Sequence, residues 1–314
     1  MDIHNPKGTK TPALHGHPAK AGNSPPHAGS DHVHRVLSDS WVADDGEEIH
    51  LRISGQGRPL ILLHGWTSTH RDWTPFIPAL ESGCRIFRWD ARGHGGHAPR
   101  VEAAPTAARM ARDLRNLIQH YALDDVAIIG HSMGALTLWQ YLRDWGEEGV
   151  SHLGFIDQSP RLLTDAGWKL GIYGDFDAAR NAAFMGELAE DLAEAVLRLA
   201  AFGHNARARE KYLENGNGIQ VARQRLRALD PQPLIDCWAS LTAADYRDVL
   251  PTITRPSFLV YGDESNFYSV ETARYVADRT AGSWLRLYAA QDHAPHLGQR
   301  ERFVQELRAF LALP

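Results

Sequence analysis

Residues 130–134 read Gly-His-Ser-Met-Gly and follow an apolar run at 126–129, and this segment constrains the fold more than any other. A serine with glycine two residues away on each side, between a strand and a helix, is typical of a turn too tight for larger flanking side chains. Such a turn exposes the hydroxyl of Ser132 at the sheet edge, beside the free N–H groups of the helix. The pattern predicts a nucleophile elbow. An ordinary tight turn can have the same glycine spacing, so the other motifs must distinguish the two interpretations.

A second apolar run, at residues 59–63, predicts a strand buried on both faces of a parallel sheet. It ends at His64, and the glycine that follows allows the chain to turn and leaves the next amide free. Acyl transfer places charge on a carbonyl oxygen, which fixed backbone N–H groups stabilise. We predict that the backbone N–H groups of Trp66 and Met133 form an oxyanion hole.

A histidine that follows a late strand is the candidate general base. Residues 284–288 alternate as a strand does, and His293 and His296 come shortly afterwards. A histidine in a loop at the carboxyl end of a strand can reach the serine and accept its proton. The chain order, serine first and histidine last, fits the triad order of one fold in particular.

These motifs together resemble those of α/β-hydrolase-fold enzymes, in the haloperoxidase, esterase and epoxide-hydrolase-like branch. The resemblance covers about residues 58–310 and rests on five segments: His64-Gly65-Trp66, Asp90-x-Arg92-Gly93-His94-Gly95, residues 130–134, Gly262 and Asp292-His293. It implies an α/β fold, a doubly wound and mostly parallel sheet with an inserted helical lid. It also implies that His293 is the base, and that His296 is a neighbour packed near the pocket rim.

The acid of the triad departs from the pattern that the resemblance implies. That pattern places an acid three residues after Gly262, where this chain has Ser265. The fold offers a second position at the end of the strand after the nucleophile helix, and here that strand ends at Asp157. We predict Asp157 as the acid that orients the imidazole, with Asp263 and Glu264 as alternatives.

Strands and helices alternate through residues 36–160 and 251–314, which predicts a hydrolase core that opens with a β-hairpin. Residues 161–250 break the alternation and are predicted to form the helical lid. Within the lid, apolar residues at helical spacing predict one helix that stops at Gly203; they are Leu188, Leu192, Val196, Leu199 and Phe202.

The first 35 residues are rich in proline, glycine and histidine and are predicted to be a disordered tail. Histidines cluster there, at positions 15, 17, 32 and 34. A metal site is the alternative interpretation, but no cysteine or carboxylate completes a coordination shell.

Four residues are candidates for substrate contact: His64, His131, Trp168 and Tyr173. Trp168 and Tyr173 belong to a larger set of lid aromatics that could wall the pocket, of which we expect two or three to touch substrate. The others are Phe176, Phe184, Phe202, Trp238 and Tyr246.

The lid is also rich in arginine, which indicates a solvated helical face or, alternatively, an entrance for anionic substrates or an oligomer contact. The arginines are Arg198, Arg207, Arg209, Arg223, Arg225 and Arg227.

Composition limits the partners and the compartment. A net charge of −5 argues against nucleic acid, and no apolar run is long enough for a transmembrane helix. The start of the chain lacks the pattern of a secretory signal, so we expect a cytoplasmic protein with no membrane partner. Its two cysteines, Cys84 and Cys237, are expected to be free thiols. The sequence does not indicate an oligomeric state.

The sequence therefore predicts a serine hydrolase that cleaves a carboxylic ester, a lactone or a similar activated acyl group on a small molecule, without cofactor or metal. Perhydrolase or cofactor-free haloperoxidase-like activity, and hydrolysis of a carbon–carbon bond, would use the same triad. A ligand-binding protein without activity is another alternative, favoured only by the missing acid at Ser265. Epoxide hydrolases and haloalkane dehalogenases need a carboxylate nucleophile, which Ser132 does not provide.

Overall fold

The computed structural model describes residues 37–313, and an eight-stranded β-sheet lies at its centre. The strand order is β1-β2-β4-β3-β5-β6-β7-β8. Strand β2 pairs antiparallel with β1 and β4. The other six strands, β3 to β8, run parallel to one another. The strands are β1 (Leu37–Val42), β2 (Glu48–Ser54), β3 (Arg58–Leu63), β4 (Cys84–Asp90), β5 (Val126–His131), β6 (Val150–Ile156), β7 (Ser257–Gly262) and β8 (Ser283–Tyr288).

The central strands are apolar because helices cover both faces of the sheet. Every residue of β5 and of β7 is buried, as expected for parallel strands that carry crossover helices. The helices that connect and flank the strands are α1 (Ile77–Leu80), α2 (Ala107–His120), α3 (Met133–Trp145), α9 (Val270–Arg279), α10 (Pro295–Gly298) and α11 (Arg300–Phe310). The predicted doubly wound, mostly parallel sheet is confirmed.

Five further helices are inserted between β6 and β7, in the region predicted to be helical. They are α4 (Ala178–Glu190), α5 (Leu192–Ala201), α6 (Ala206–Glu214), α7 (Asn217–Arg227) and α8 (Pro231–Ala243). Short 3₁₀ turns lie at His70–Phe76, Ile172–Gly174 and Leu250–Thr252. We call α4 to α8 the inserted helices.

The prediction of one helix through residues 188–202 was wrong. The chain leaves the helical conformation at Asp191 (φ −149°, ψ 93°), so α4 and α5 are separate helices. The Asp191 carboxylate accepts a hydrogen bond of 3.1 Å from the N–H of Glu194 and thereby caps α5. Aspartate is a preferred N-cap residue, and apolar spacing alone does not reveal such a break.

The predicted hairpin is present as β1 and β2, and its turn is closed by a 2.8 Å bond from Ala43 N to Glu47 O. Cys84 and Cys237 are both buried free thiols. The predicted tail at residues 1–35 and its histidine clusters lie outside the described residues. Among the described helices, none combines the length and apolar character needed to span a bilayer.

Two glycines allow β3, β5 and α3 to approach one another more closely than side chains permit. A Cβ built on Gly130 would lie 2.4 Å from the carbonyl carbon of Gly134. A Cβ built on Gly134 would lie 2.5 Å from the backbone oxygen of Leu63 in β3. Because both clashes are with backbone atoms, no side-chain rotation relieves them.

The exchange Gly134→Ala tests this close approach. We expect it to lower the free energy of unfolding by about 2 kcal/mol, since the added methyl group pushes α3 away from β3. Gly186→Ala is the matched control, because Gly186 also lies in a helix but has open space around its Cα. In that control the free energy of unfolding should rise by up to about 1 kcal/mol, because alanine favours the helix more than glycine does. Denaturant unfolding measures both, and equal changes in the two variants would contradict the packing described.

Candidate active site

Ser132 lies at the sharp turn between β5 and α3. Its backbone has φ 53° and ψ −116°, a conformation that residues other than glycine rarely adopt. Such strain costs on the order of 1–3 kcal/mol and persists only where the surroundings enforce it. Here a 3.0 Å bond from Ser132 N to Ile156 O in β6 and the close approach at Gly130 and Gly134 enforce it. The turn presents the hydroxyl at the carboxyl edge of the sheet.

His293 connects the serine to a carboxylate. Its Nε2 lies 2.9 Å from Ser132 Oγ, and its Nδ1 lies 2.7 Å from Asp157 Oδ2. Because the carboxylate can only accept, Nδ1 carries a proton and Nε2 is free to accept one from the serine hydroxyl. The backbone of His293 is fixed by a 3.0 Å bond from its N–H to Asn266 Oδ1 and a 2.8 Å bond from His131 Nε2 to its carbonyl oxygen.

Asp157 follows β6 directly and is completely buried. Its Oδ1 accepts a 3.1 Å bond from Gly262 N, and its Oδ2 accepts a 2.6 Å bond from Ser265 Oγ besides the one from His293. Three donors thus fix the carboxylate in one orientation. Sequence reasoning treated Ser265 only as a missing acid; its spacing from Gly262 was the sign that this position faces the triad.

The two alternative acids do not reach the imidazole. Asp263 and Glu264 are both exposed. Asp263 Oδ1 accepts a 2.6 Å bond from the N–H of Ala290, and Glu264 forms an ion pair with Arg207. Neither forms a hydrogen bond or ion pair with His293 in the part of the chain that the structure describes.

Two backbone N–H groups beside the serine are unpaired. Met133 is the first residue of α3, and neither its N–H nor that of Trp66 donates to another group within residues 37–313. The backbone at Gly65 passes close to the serine, since a Cβ built there would lie 3.4 Å from Ser132 Cβ. Both predicted oxyanion donors are therefore on segments that adjoin Ser132.

A cavity of about 350 Å³ opens over Ser132 and His293. Its wall is mainly apolar and combines the carboxyl edge of the sheet with the inserted helices. The other lining residues are Trp66, Thr67, Met133, Leu136, Gln158, Leu162, Ile172, Val196, Leu199, Ala200, Trp238, Leu241, Asn266, Phe267, Tyr268, Asp292 and Ala294. Helix α8 is fastened to this wall, because Trp66 Nε1 donates a 3.0 Å bond to Leu234 O and the Trp66 and Trp238 rings lie 4.8 Å apart.

The structure does not bring His64 and His131 to the cavity, although both are next to site residues in the sequence. His64 is buried, donates from Nδ1 to the Gly65 carbonyl (2.8 Å) and accepts from the Ala91 N–H at Nε2 (2.9 Å). His131 lies behind His293 and holds the carbonyl oxygen of that residue. Burial lowers the pKa of both imidazoles. Both side chains hold loops in place instead of facing a substrate.

Trp168 and Tyr173 also lie outside the cavity wall. Trp168 donates from Nε1 to the Arg161 carbonyl (3.0 Å), and the Tyr173 hydroxyl donates to the Leu199 carbonyl. The Trp168 ring packs against Tyr275 of α9, with ring centroids 4.9 Å apart, and the Tyr173 ring lies 6.0 Å from that of Phe176. Of the seven aromatic residues considered for the wall, Trp238 alone lines the cavity.

His296, the alternative base, is buried among aromatic rings, and neither ring nitrogen has a hydrogen-bond partner among residues 37–313. The ring centroids of Trp73 and Phe303 lie 5.1 and 5.7 Å away. Burial lowers the pKa of His296 to about 3, with a smaller contribution from the charge of His293. The imidazole is therefore neutral at neutral pH and packs as an apolar ring.

The arginines of the inserted helices are mostly neutralised by acids that are distant in sequence. The pairs are Arg198 with Glu187, Arg207 with Glu264, Arg223 with Glu194 and Arg227 with Asp191. Arg209 instead stacks over Phe202, 5.3 Å from the ring centroid. Of the residues that the structure describes, no lysine or arginine lines the cavity. This favours a solvated, ion-paired helical face over an entrance for anions.

One group of carboxylates, away from the cavity, has the spacing of a metal site. Ligand atoms of Asp44, Asp45 and Asp113 lie within 4.8 Å of one another. Guanidinium groups already occupy these oxygens: Arg92 lies 2.8 Å from Asp45 and 2.9 Å from Asp113, and Arg109 lies 2.9 Å from Asp113. The cluster binds arginine side chains and fastens the loop after β4 to α2.

Comparison with known proteins gives consistent matches along most of the chain. A family model for the Alpha/beta hydrolase family matches residues 60–306. Pimeloyl-acyl-carrier-protein methyl ester esterase of Vibrio vulnificus (strain YJ016) is 27% identical over 84% of this chain and 98% of its own. Non-heme chloroperoxidase CPO-A1 of Kitasatospora aureofaciens is 25% identical over 85% and 97%. The esterase EaEST from Exiguobacterium antarcticum superposes with a TM-score of 0.75 at 24% identity, covering 88% of this chain and 100% of that one.

The buried state of His296 predicts a pH dependence of stability. An unfolded histidine has a pKa near 6.5, whereas the pKa of His296 is about 3 in the folded protein. Below pH 6.5 the unfolded chain therefore binds the extra proton first, and stability falls as the pH falls. Between pH 6.5 and 5, the free energy of unfolding of His296→Leu should fall by about 1.6 kcal/mol less than that of the parent protein. Denaturant unfolding at both pH values measures this, and identical losses in the two proteins would contradict the prediction.

Proposed function

This chain belongs to the alpha/beta hydrolase family, and we propose that it is a serine hydrolase that cleaves a carboxylic ester or lactone through an acyl intermediate on Ser132. One observation carries the proposal: a continuous chain of hydrogen bonds, 2.9 and 2.7 Å long, joins Ser132 to His293 and His293 to Asp157. Each group has the protonation and acceptor capacity that nucleophilic acyl transfer needs.

In the first half of the reaction, Ser132 Oγ attacks the ester carbonyl carbon while His293 Nε2 accepts the hydroxyl proton. The imidazolium that forms is stabilised by the Asp157 carboxylate, which keeps its own negative charge. The carbonyl oxygen becomes an oxyanion and accepts hydrogen bonds from the Trp66 and Met133 N–H groups. Collapse of this intermediate breaks the bond to the alcohol, which leaves with the proton from His293.

In the second half, water takes the position of the alcohol. His293 Nε2 accepts a proton from the water, whose oxygen attacks the acyl carbon bound to Ser132. The second tetrahedral intermediate uses the same two N–H donors and releases a carboxylic acid, while the proton returns to the serine. The balance is one ester and one water converted into one acid and one alcohol.

The cavity supports a neutral acyl or alcohol group of modest size as substrate. About 350 Å³ is space for a small or medium organic group, and most of the lining side chains are apolar. The name of the Vibrio vulnificus relative, an esterase of a methyl ester, agrees with ester cleavage. That relative is 27% identical, so we propose the reaction class and not its substrate.

Perhydrolysis is a second candidate, favoured by the similarity to the chloroperoxidase of Kitasatospora aureofaciens. Hydrogen peroxide would then attack the acyl group on Ser132 in place of water, and a peracid would leave. Titration of peracid in ester assays that contain peroxide, compared with acid release in the absence of peroxide, measures how the acyl group divides between the two nucleophiles.

A fluorophosphonate probe tests the nucleophile. We expect intact-protein mass spectrometry to find one adduct on Ser132, because the hydrogen bond to His293 Nε2 activates this hydroxyl. The adduct should be lost in His293→Ala. Absence of the adduct in the parent protein would favour a ligand-binding protein that lacks hydrolytic activity.

The acid is tested by a matched pair of exchanges, Asp157→Asn and Asp263→Asn. Asp157→Asn should lower kcat for an aryl ester on the order of 10⁴-fold, because the neutral amide no longer holds the productive tautomer or offsets the imidazolium charge. Asp263→Asn should stay within about twofold of the parent, since its side chain is exposed and an amide oxygen can still accept from Ala290 N. The reverse pattern would assign the acid to Asp263.

A further inference from the structure

The side chain of Gln158, one residue beyond Asp157, offers a polar group to the cavity that the mechanism does not use. Gln158 is 2% exposed and is one of the cavity-lining residues. Its Oε1 accepts a 2.8 Å bond from Ser159 N and a bond from the Tyr268 hydroxyl. Since the N–H of Ser159 can only donate, the amide oxygen must face it, and this fixes the orientation of the whole amide.

The fixed orientation leaves the Nε2 amino group of Gln158 on the opposite edge of the amide. Within residues 37–313 this group donates to no protein atom, although Gln158 itself is buried. The Nε2 atom itself is not fully buried, so a ligand in the cavity that Gln158 lines can reach it. A donor left free in the wall of an otherwise apolar cavity is the arrangement expected of a group that pairs with a ligand.

The position of Gln158 places this donor beside the reacting centre. Strands β5 and β6 run parallel with His131 opposite Ile156. Asp157, the residue before Gln158, lies 2.7 Å from His293 Nδ1, and Gln158 lines the same cavity as Ser132 and Met133. A substrate in this cavity can therefore place its ester carbonyl at Ser132 and a second polar group at the amide of Gln158.

The charges around the cavity indicate that the matching acceptor is neutral. In the described part of the chain no lysine or arginine lines the cavity, whereas Asp292 lines it and Asp157 adjoins it through His293. An anionic group would lose its hydration there without a cation to compensate, and the carboxylates would repel it. A ketone, ether or hydroxyl oxygen loses much less hydration free energy on entering the cavity, and it can also accept a hydrogen bond from the amide.

We propose that Gln158 is a substrate-binding residue that donates a hydrogen bond from Nε2 to a neutral oxygen acceptor on the ester, a few bonds from the carbonyl under attack. The substrate class is thereby narrowed to neutral esters with a second oxygen function, such as oxo esters. This inference rests on the proposed ester hydrolysis, and it deepens that proposal by naming the substrate class.

The test compares paired p-nitrophenyl esters of equal chain length: pentanoate with 4-oxopentanoate, and hexanoate with 5-oxohexanoate. Rates are divided by the rates of hydroxide hydrolysis, so that intrinsic reactivity cancels. The parent enzyme should prefer one of the oxo esters about 10-fold or more in kcat/KM. Calorimetry with the N-ethyl amides of the same four acids measures the preference for the oxo group without any turnover.

Two variants separate substrate binding from a structural role of Gln158. Gln158→Met keeps the volume but removes both polar atoms, and Gln158→Glu, assayed at pH 9 to favour the carboxylate, keeps an oxygen for Ser159 and Tyr268 but removes the donor. Both should reduce the oxo preference to less than twofold, in kcat/KM and in amide affinity. Gln220→Met, the same exchange on the exposed face of α7, should keep the preference of the parent.

The inference is overturned if the parent protein shows no oxo preference in either pair, or if Gln158→Glu keeps the preference. If no ester is cleaved and no fluorophosphonate adduct forms, the proposed hydrolysis fails, but the amide affinities still decide whether Gln158 recognises the oxo group. Equal losses for oxo and alkyl ligands in Gln158→Met, with the preference kept in Gln158→Glu, would assign to Gln158 only the anchoring of Ser159 and Tyr268.

Discussion

The backbone turn at Ser132 is the constraint on which the rest of the site depends. A positive φ of 53° at a serine is unfavourable by itself, and it is maintained by contacts that leave no space for other side chains at Gly130 and Gly134. The same turn directs the start of α3 towards the hydroxyl, so the Ser132 hydroxyl and the Met133 N–H donor come from adjacent residues. The imidazole, the carboxylate and the cavity wall are useful only because this hydroxyl has one fixed position.

The carboxylate follows β6 and not β7, after which the resemblance implied it, and the sheet makes this possible. Strands β6 and β7 are neighbours, and Asp157 N donates a 2.8 Å bond to Val260 O. Their carboxyl ends therefore lie side by side, and an acid on either one can reach the same imidazole. Ser265, on the loop after β7, donates a 2.6 Å bond to Asp157 Oδ2. The missing acid at position 265 is thus compensated locally, and it does not argue against a functional triad.

Local sequence patterns were sufficient for the parts of the fold that local chemistry determines. The apolar runs and the glycines around Ser132 correctly predicted strands, helices and the turn, because each reflects burial or steric conflict within a few residues. Asp157 was selected from the end of a strand, and the structure places its carboxylate 2.7 Å from the imidazole of His293. The helix break at Asp191 was missed, since an N-cap inside an apolar repeat competes with the repeat itself.

Contacts between residues that are distant in sequence determined what could not be predicted. Trp168 and Tyr173 carry the chemistry of a substrate wall, but carbonyl groups of the inserted region engage their polar atoms and draw the rings away from the cavity. Sequence neighbours gave no indication that arginines of the inserted helices have acidic partners, because Arg223 and Glu194, for example, are 29 residues apart.

The pairing of these arginines also affects the chemistry of the cavity. Each guanidinium that is bound to a carboxylate on the surface is no longer available to attract an anion to the entrance, and screening by salt weakens the remaining field beyond about 10 Å. Recognition inside the cavity must then come from shape, apolar contact and neutral hydrogen bonds. In that environment a single fixed amide, such as that of Gln158, discriminates more strongly than it would beside a charged group, because an unmatched substrate leaves it unpaired in an apolar wall.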